Sequence, residues 1–153
     1  MKDAYLHAIG LIERLHRQFL EVVREELDRL GIRDINNVQS LILFNIADGD
    51  FTVGELTLRG YYLGTNVTYN LKKMVEHGYV VQERSPHDRR SVRVQLSEKG
   101  RELWKALDEA FERHAGDVGD GVLDAEALET ANAALDKLGR YWGRTVSLVN
   151  RAA

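Results

Sequence analysis

The chain contains no cysteine, which excludes disulfides, thiolate metal sites and thiol-based redox sensing. Proline occurs once, at Pro86, so long helices meet almost no internal breaker. No run approaches the roughly 20 apolar residues of a membrane span. The N-terminus lacks a basic-then-apolar leader pattern. A cytoplasmic, nucleoid-associated protein with no membrane partner is expected. Enzyme signatures are missing as well. No Ser-His-Asp arrangement stands out, and there is no glycine-rich phosphate loop. Asp117, Asp120 and Asp124 lie among glycines, but their spacing is not that of a calcium loop, and the bidentate Glu at its twelfth position is absent. No metal, no cofactor and no enzymatic activity are expected.

Charge of one sign is also scarce overall. The formal net charge is −3 over 153 residues, which by itself argues against an anionic partner. Its distribution argues the other way. Residues 59–101 carry nine Lys/Arg against four Asp/Glu, a net of +5, which leaves −8 for the rest. A basic middle on an acidic frame suits one anionic surface.

The length fits one domain, 1–153. Residues 4–30 read as a long helix, with Ile9, Ile12, His16, Phe19, Val23, Leu27 and Leu30 at three- and four-residue steps. A second helix starts near Asn36, where Asn36 and Gln39 resemble a capping box. Asp48-Gly49-Asp50 reads as a turn. Thr52-Val53-Gly54-Glu55 is a second capping box and opens a short helix. Gly60-Tyr61-Tyr62-Leu63-Gly64 breaks it, and Thr65 starts the next helix, which ends at His77-Gly78. A fifth helix is expected over about 97–115, then a loop over 116–121. Asp124 caps a last helix, 123–150, whose Leu128, Ala131, Leu135, Leu138, Trp142, Thr145 and Val149 follow coiled-coil spacing. One small domain cannot cover the apolar stripes of both terminal helices, so a two-fold homodimer through 4–30 and 123–150 is expected.

Residues 35–100 hold a helix-turn-helix pattern followed by a hairpin. Val92, Val94 and Leu96 alternate with Arg93 and Gln95, as in a half-buried strand. The tip Ser85-Pro86-His87-Asp88-Arg89-Arg90 is basic. The fold class is therefore mainly α with a small β-hairpin wing: a winged helix-turn-helix flanked by dimerisation helices. On the helix 65–77, Val67, Leu71, Met74 and Val75 form the core side. Thr65, Asn66, Thr68 and Tyr69 lie on or beside the opposite side, where base contacts are made. Lys72 and Lys73 are placed for phosphate. Arg89 and Arg90 are candidates for groove insertion, and Asp88 can hold Arg90 extended by a charge-assisted pair. The competing reading is a winged-helix module that binds protein rather than DNA.

Residues 52–104 resemble the multiple antibiotic resistance regulator (MarR) family of bacterial transcription factors. The resemblance rests on Thr52-Val53-Gly54-Glu55-Leu56, on Met74-Val75-Glu76-His77-Gly78-Tyr79-Val80, and on the run from Asp88-Arg89-Arg90 through Leu96-Ser97-Glu98-Lys99-Gly100. The Asp-x-Arg wing followed by Leu-(Ser/Thr)-x-x-Gly is the most specific part. Asn70 departs from the family pattern, where that position is often apolar. The resemblance implies a homodimer on a palindromic (inverted-repeat) double-stranded DNA operator, most often a repressor. It also implies release by a small aromatic or phenolic effector, and makes Arg90 the minor-groove arginine. His16 and Trp104 are the side chains expected to line an effector pocket.

Overall fold

The computed structural model describes residues 1–60, 64–84, 86–87 and 91–152, with side chains at 59–60, 64–65 and 148–152 excluded. The chain divides into two compact units, 1–109 and 110–153.

The first unit starts with α1 (Lys2–Arg29) and α2 (Asn37–Ile46). The Asn36/Gln39 capping box forms in full, with Gln39 N on Asn36 Oδ1 at 2.8 Å and Asn36 N on Gln39 Oε1 at 3.1 Å. Phe51–Thr52 is a short strand, β1, which the sequence reading did not foresee. Two residues carry too little alternation to show as a strand; β1 exists because it pairs with a distant partner. Then come α3 (Val53–Gly60) and α4 (Gly64–Glu76). Thr52 caps α3 as expected, its N–H on Glu55 Oε2 at 2.9 Å and its Oγ1 accepting from Glu55 N at 3.2 Å. The hairpin follows as β2 (Val80–Arg84) and β3 (Val92–Leu96), antiparallel, with β3 central in the order β1-β3-β2.

Val23 and Leu27 of α1, Ile42, Leu43 and Ile46 of α2, Leu71 and Met74 of α4, Val94 of β3 and Leu107 form the core of this unit. Two glycines shape its corners. Gly78 takes φ 80 after α4, a left-handed conformation that favours glycine. Gly100 brings the first turn of α5 (Glu98–Gly119) onto the Tyr79 carbonyl, which a Cβ there would strike. That close approach explains the glycine of the Leu-(Ser/Thr)-x-x-Gly motif.

A polar cluster ties the same corner. Tyr79 OH donates to Asp34 Oδ1 at 2.5 Å, and Lys99 Nζ donates to Asp34 Oδ2 at 2.7 Å and to the His77 carbonyl at 2.9 Å. The Lys99 bond, then the Tyr79 bond, hold the Asp34 carboxyl below the usual aspartate range. Burial, then Asp34, pushes the Tyr79 phenol up. A carboxyl depressed in the folded state stabilises above its unfolded pKa of about 4 and loses that contribution as pH falls through the folded value. The Asp34 and Lys99 side chains are 41% and 48% exposed, so water screens the pair to about 1 kcal/mol or less. Asp34→Asn is therefore expected to lower stability slightly at pH 7, and denaturant midpoints should converge with the parent's once pH has fallen through the depressed Asp34 value. A gap that persists there would show that the ion pair is not its cause.

In the second unit, α5 runs on to Gly119, into the loop expected at 116–121. Glycine in a helix costs only about 1 kcal/mol. Val118 O closes the chain instead, accepting from Val122 N at 2.9 Å and Leu123 N at 3.0 Å. Asp124 caps α6 (Ala125–Ala152), its Oδ1 accepting from Ala127 N at 2.8 Å. Leu128, Leu135, Tyr141 and Val146 of α6 are exposed in the single chain. In the first unit, Leu6, Leu11, Leu15 and Phe19 of α1 are exposed too. Only Val23, Glu26 and Leu27 of α1 are buried.

Candidate nucleic-acid interface

The candidate surface is built on α4 by its own periodicity. Val67, Leu71 and Met74 are buried, and this inward face holds the outward one in place. Asn66, Thr68, Tyr69 and Lys72 are exposed, while Lys73 is half-buried. Tyr69 is 61% exposed, and Lys73 Nζ stands 6.0 Å from its ring centroid. Lys73 also pairs with Glu76 at 3.4 Å, with both side chains more than a third exposed. Such a pair is weak and is easily exchanged for a phosphate. The Thr65 side chain lies outside the description.

An open groove runs between α3 and α4 beside Tyr69. Val53, Thr57, Leu58, Thr68, Tyr69 and Lys72 line it. Leu58, 78% exposed, was not singled out from the sequence. An exposed apolar side chain here can meet a thymine methyl. The only sequence signal for it is its position on a helix-turn-helix.

The wing is held by a contact the sequence did not reveal. Arg93 Nε lies 2.9 Å from Asp50 Oδ1, and Arg93 Nη2 donates to the Asp50 carbonyl at 2.7 Å. This joins β3 to the turn before β1. Arg93 thus serves the wing's base rather than standing as a loose surface cation. The β2–β3 ladder ends at the pair Arg84↔Val92, and the tip starts beyond it. Ser85, Asp88, Arg89 and Arg90 lie outside the described residues.

His16 and Trp104 occupy different surroundings. His16 is exposed on α1. Trp104 is half-buried, stacked on Phe44 with ring centroids 5.3 Å apart, and its Nε1 donates to the Phe44 carbonyl at 3.1 Å. A cavity of about 480 Å³ opens elsewhere in the first unit, lined by Arg33, Asp34, Tyr79, Lys99, Glu102 and Leu103 among others. Among the described residues there is no His/Cys/Asp/Glu group able to hold a metal ion, and no helix long and apolar enough to cross a membrane.

Comparison with known proteins places this surface in context. Residues 33–91 match the model of the MarR family. Over 139 residues the chain is 37% identical to the exopolysaccharide II synthesis transcriptional activator ExpG of Rhizobium meliloti, covering 91% of this chain and 72% of that protein. Two solved structures share the fold at lower identity. One is FabT of Streptococcus pneumoniae in complex with DNA, with TM-score 0.70, 22% identity, and coverage of 92% of this chain and 99% of that one. The other is the MepR–DNA complex of S. aureus, with TM-score 0.73, 19% identity, and coverage of 87% and 96%.

Proposed function

Because the chain belongs to the MarR family of DNA-binding transcription regulators, we propose that it works as a homodimer on an inverted-repeat operator and answers to a small effector. The whole chain acts as one regulator in this reading. The helices 4–30 and 123–150 pair with their copies, and 35–100 binds DNA. Each subunit lays α4 in a major groove, with Thr65, Asn66, Thr68 and Tyr69 toward base edges and Lys72 and Lys73 toward phosphates. Arg89 and Arg90, with Asp88 orienting Arg90, enter the adjacent minor groove. Half-sites about 10 bp apart follow from two-fold symmetry.

The observation that carries this reading is the outward polar face of α4, Asn66, Thr68, Tyr69 and Lys72, seated on buried Val67, Leu71 and Met74. DNA-bound neighbours of the same fold support it. Repression is the family's commoner mode. The name of the Rhizobium meliloti relative, a transcriptional activator, favours activation as a second reading. A promoter reporter in a deletion strain separates the two: output rises without a repressor and falls without an activator. The effector is a small aromatic or phenolic anion, with His16 and Trp104 as its candidate contacts.

The deciding experiment is fluorescence anisotropy against a duplex from upstream of the protein's own gene, in a salt series, beside an unrelated duplex. Binding at least ~10³-fold tighter than the control is expected, with log affinity falling by about 0.9 per phosphate contact as log salt rises. No binding to any duplex at low salt would instead favour a winged-helix module that docks on protein. Small aromatic acids added to the bound complex then read release.

A further inference from the structure

Asn70 is an anomaly on α4. It sits one turn after Asn66 and beside the buried Leu71, at a position where an apolar side chain would pack and would favour the helix more. Both ends of its amide are engaged. Its Nδ2 donates to the Asn66 carbonyl at 2.9 Å, and its Oδ1 accepts from Gln39 Nε2 at 3.2 Å. Gln39 is buried, 7% exposed, and its Oε1 is the acceptor of the α2 capping box. On the same turn, two residues before Gln39, Asn37 donates through Nδ2 to the Leu20 carbonyl of α1 at 3.0 Å. The first turn of α2 therefore hydrogen-bonds in two directions, through Asn37 to α1 and through Gln39 and Asn70 to the first turn of α4.

An apolar contact between α2 and α4 would tolerate sliding and rotation. An amide pair between buried Gln39 and half-buried Asn70 does not, because losing its geometry leaves the Gln39 donor without its partner. We infer that Gln39 and Asn70 are positioning residues that set the rotation of α4 on the α1–α2 frame, and thereby the sequence selectivity of its Asn66 turn. The inference rests on the reading that this turn meets DNA. It also places the α1 contact of Asn37 and the α4 contact of Gln39 on one turn of α2.

The test begins with a duplex enriched by the parent protein from a random-sequence pool. Its affinity is compared with that of a scrambled duplex for the full-length parent, Asn70→Leu, Gln39→Glu and the double variant. Gln39→Glu keeps an oxygen able to cap α2 and replaces the donor to Asn70 with a carboxylate oxygen, which the Asn70 Oδ1 cannot pair with. Thermal midpoint and sedimentation mass are recorded for each protein. Each single variant is expected to lower the selectivity ratio about tenfold, with affinity for the scrambled duplex unchanged within about twofold. The double variant should lose no more than the worse single one, as coupled neighbours do. Unchanged selectivity in either folded single variant would overturn the inference, as would losses that multiply in the double. A merely structural role would move the midpoint and leave the ratio alone. If Asn70→Leu does not fold, Gln39→Glu decides alone. If the parent enriches no duplex, the DNA reading and this inference fall together.

Discussion

Leu135→Glu is expected to convert the protein from two chains to one at micromolar concentration, and to reduce operator affinity by a factor on the order of 10²–10⁴. Leu135 is 47% exposed in the single chain, so a charge there does little harm to the subunit's own fold. In a paired helix seam the same charge would be buried without a partner, which costs several kcal/mol per ion. Leu15 on α1, 58% exposed, offers an equivalent site on the other stripe. The exposed apolar side chains along α1 and α6 are the surface that the proposed second copy would cover. Each leucine fully covered contributes roughly 1.5–3 kcal/mol. On the proposed inverted-repeat operator, losing the second copy would also halve the contacts, so affinity would fall much further than one contact explains. Sedimentation velocity decides the matter. A two-chain mass for both Leu135→Glu and Leu15→Glu would place the interface elsewhere.

Arg90→Ala carries the second large effect. A loss of about 1–3 kcal/mol in operator affinity is expected, about fivefold at the lower end, with stability and oligomeric mass unchanged. The base of the wing explains why such an arginine can be effective. The ladder closes at Arg84↔Val92, and Arg93 anchors β3 to Asp50 through two contacts. A base held this way has little freedom of its own left to lose on binding, so less of a groove contact's attraction would be spent on ordering it. Arg89→Ala should reduce affinity less and more evenly across sequences, as a phosphate contact does. Equal operator affinity for Arg90→Ala and the parent would refute the wing assignment. A matching loss on an unrelated duplex would recast Arg90 as a phosphate ligand.

The elements legible in the chain were those whose cause is local. Both capping boxes formed because donor and acceptor lie three residues apart, close enough for backbone geometry alone to join them. The inward face of α4 followed from a 3.6-residue period, and the burial of Val94 and Leu96 from a two-residue one. Asp124 could be read as a cap for the same reason. Local signals also misled at 116–119, where glycines suggested a loop and the helical hydrogen-bond ladder continued.

What the sequence determined by itself was therefore the order of the helices, the hairpin, the polar face of α4 and the family to which the chain belongs. The tertiary structure alone decided the contacts between residues far apart in sequence. These are the pairing of β1 with β3, the Arg93–Asp50 anchor, the Asp34–Tyr79–Lys99 cluster and the Gln39–Asn70 bond. None has a sequence spacing to betray it. Each arises only when packing of the apolar core brings separate elements within the roughly 3 Å at which a hydrogen bond forms.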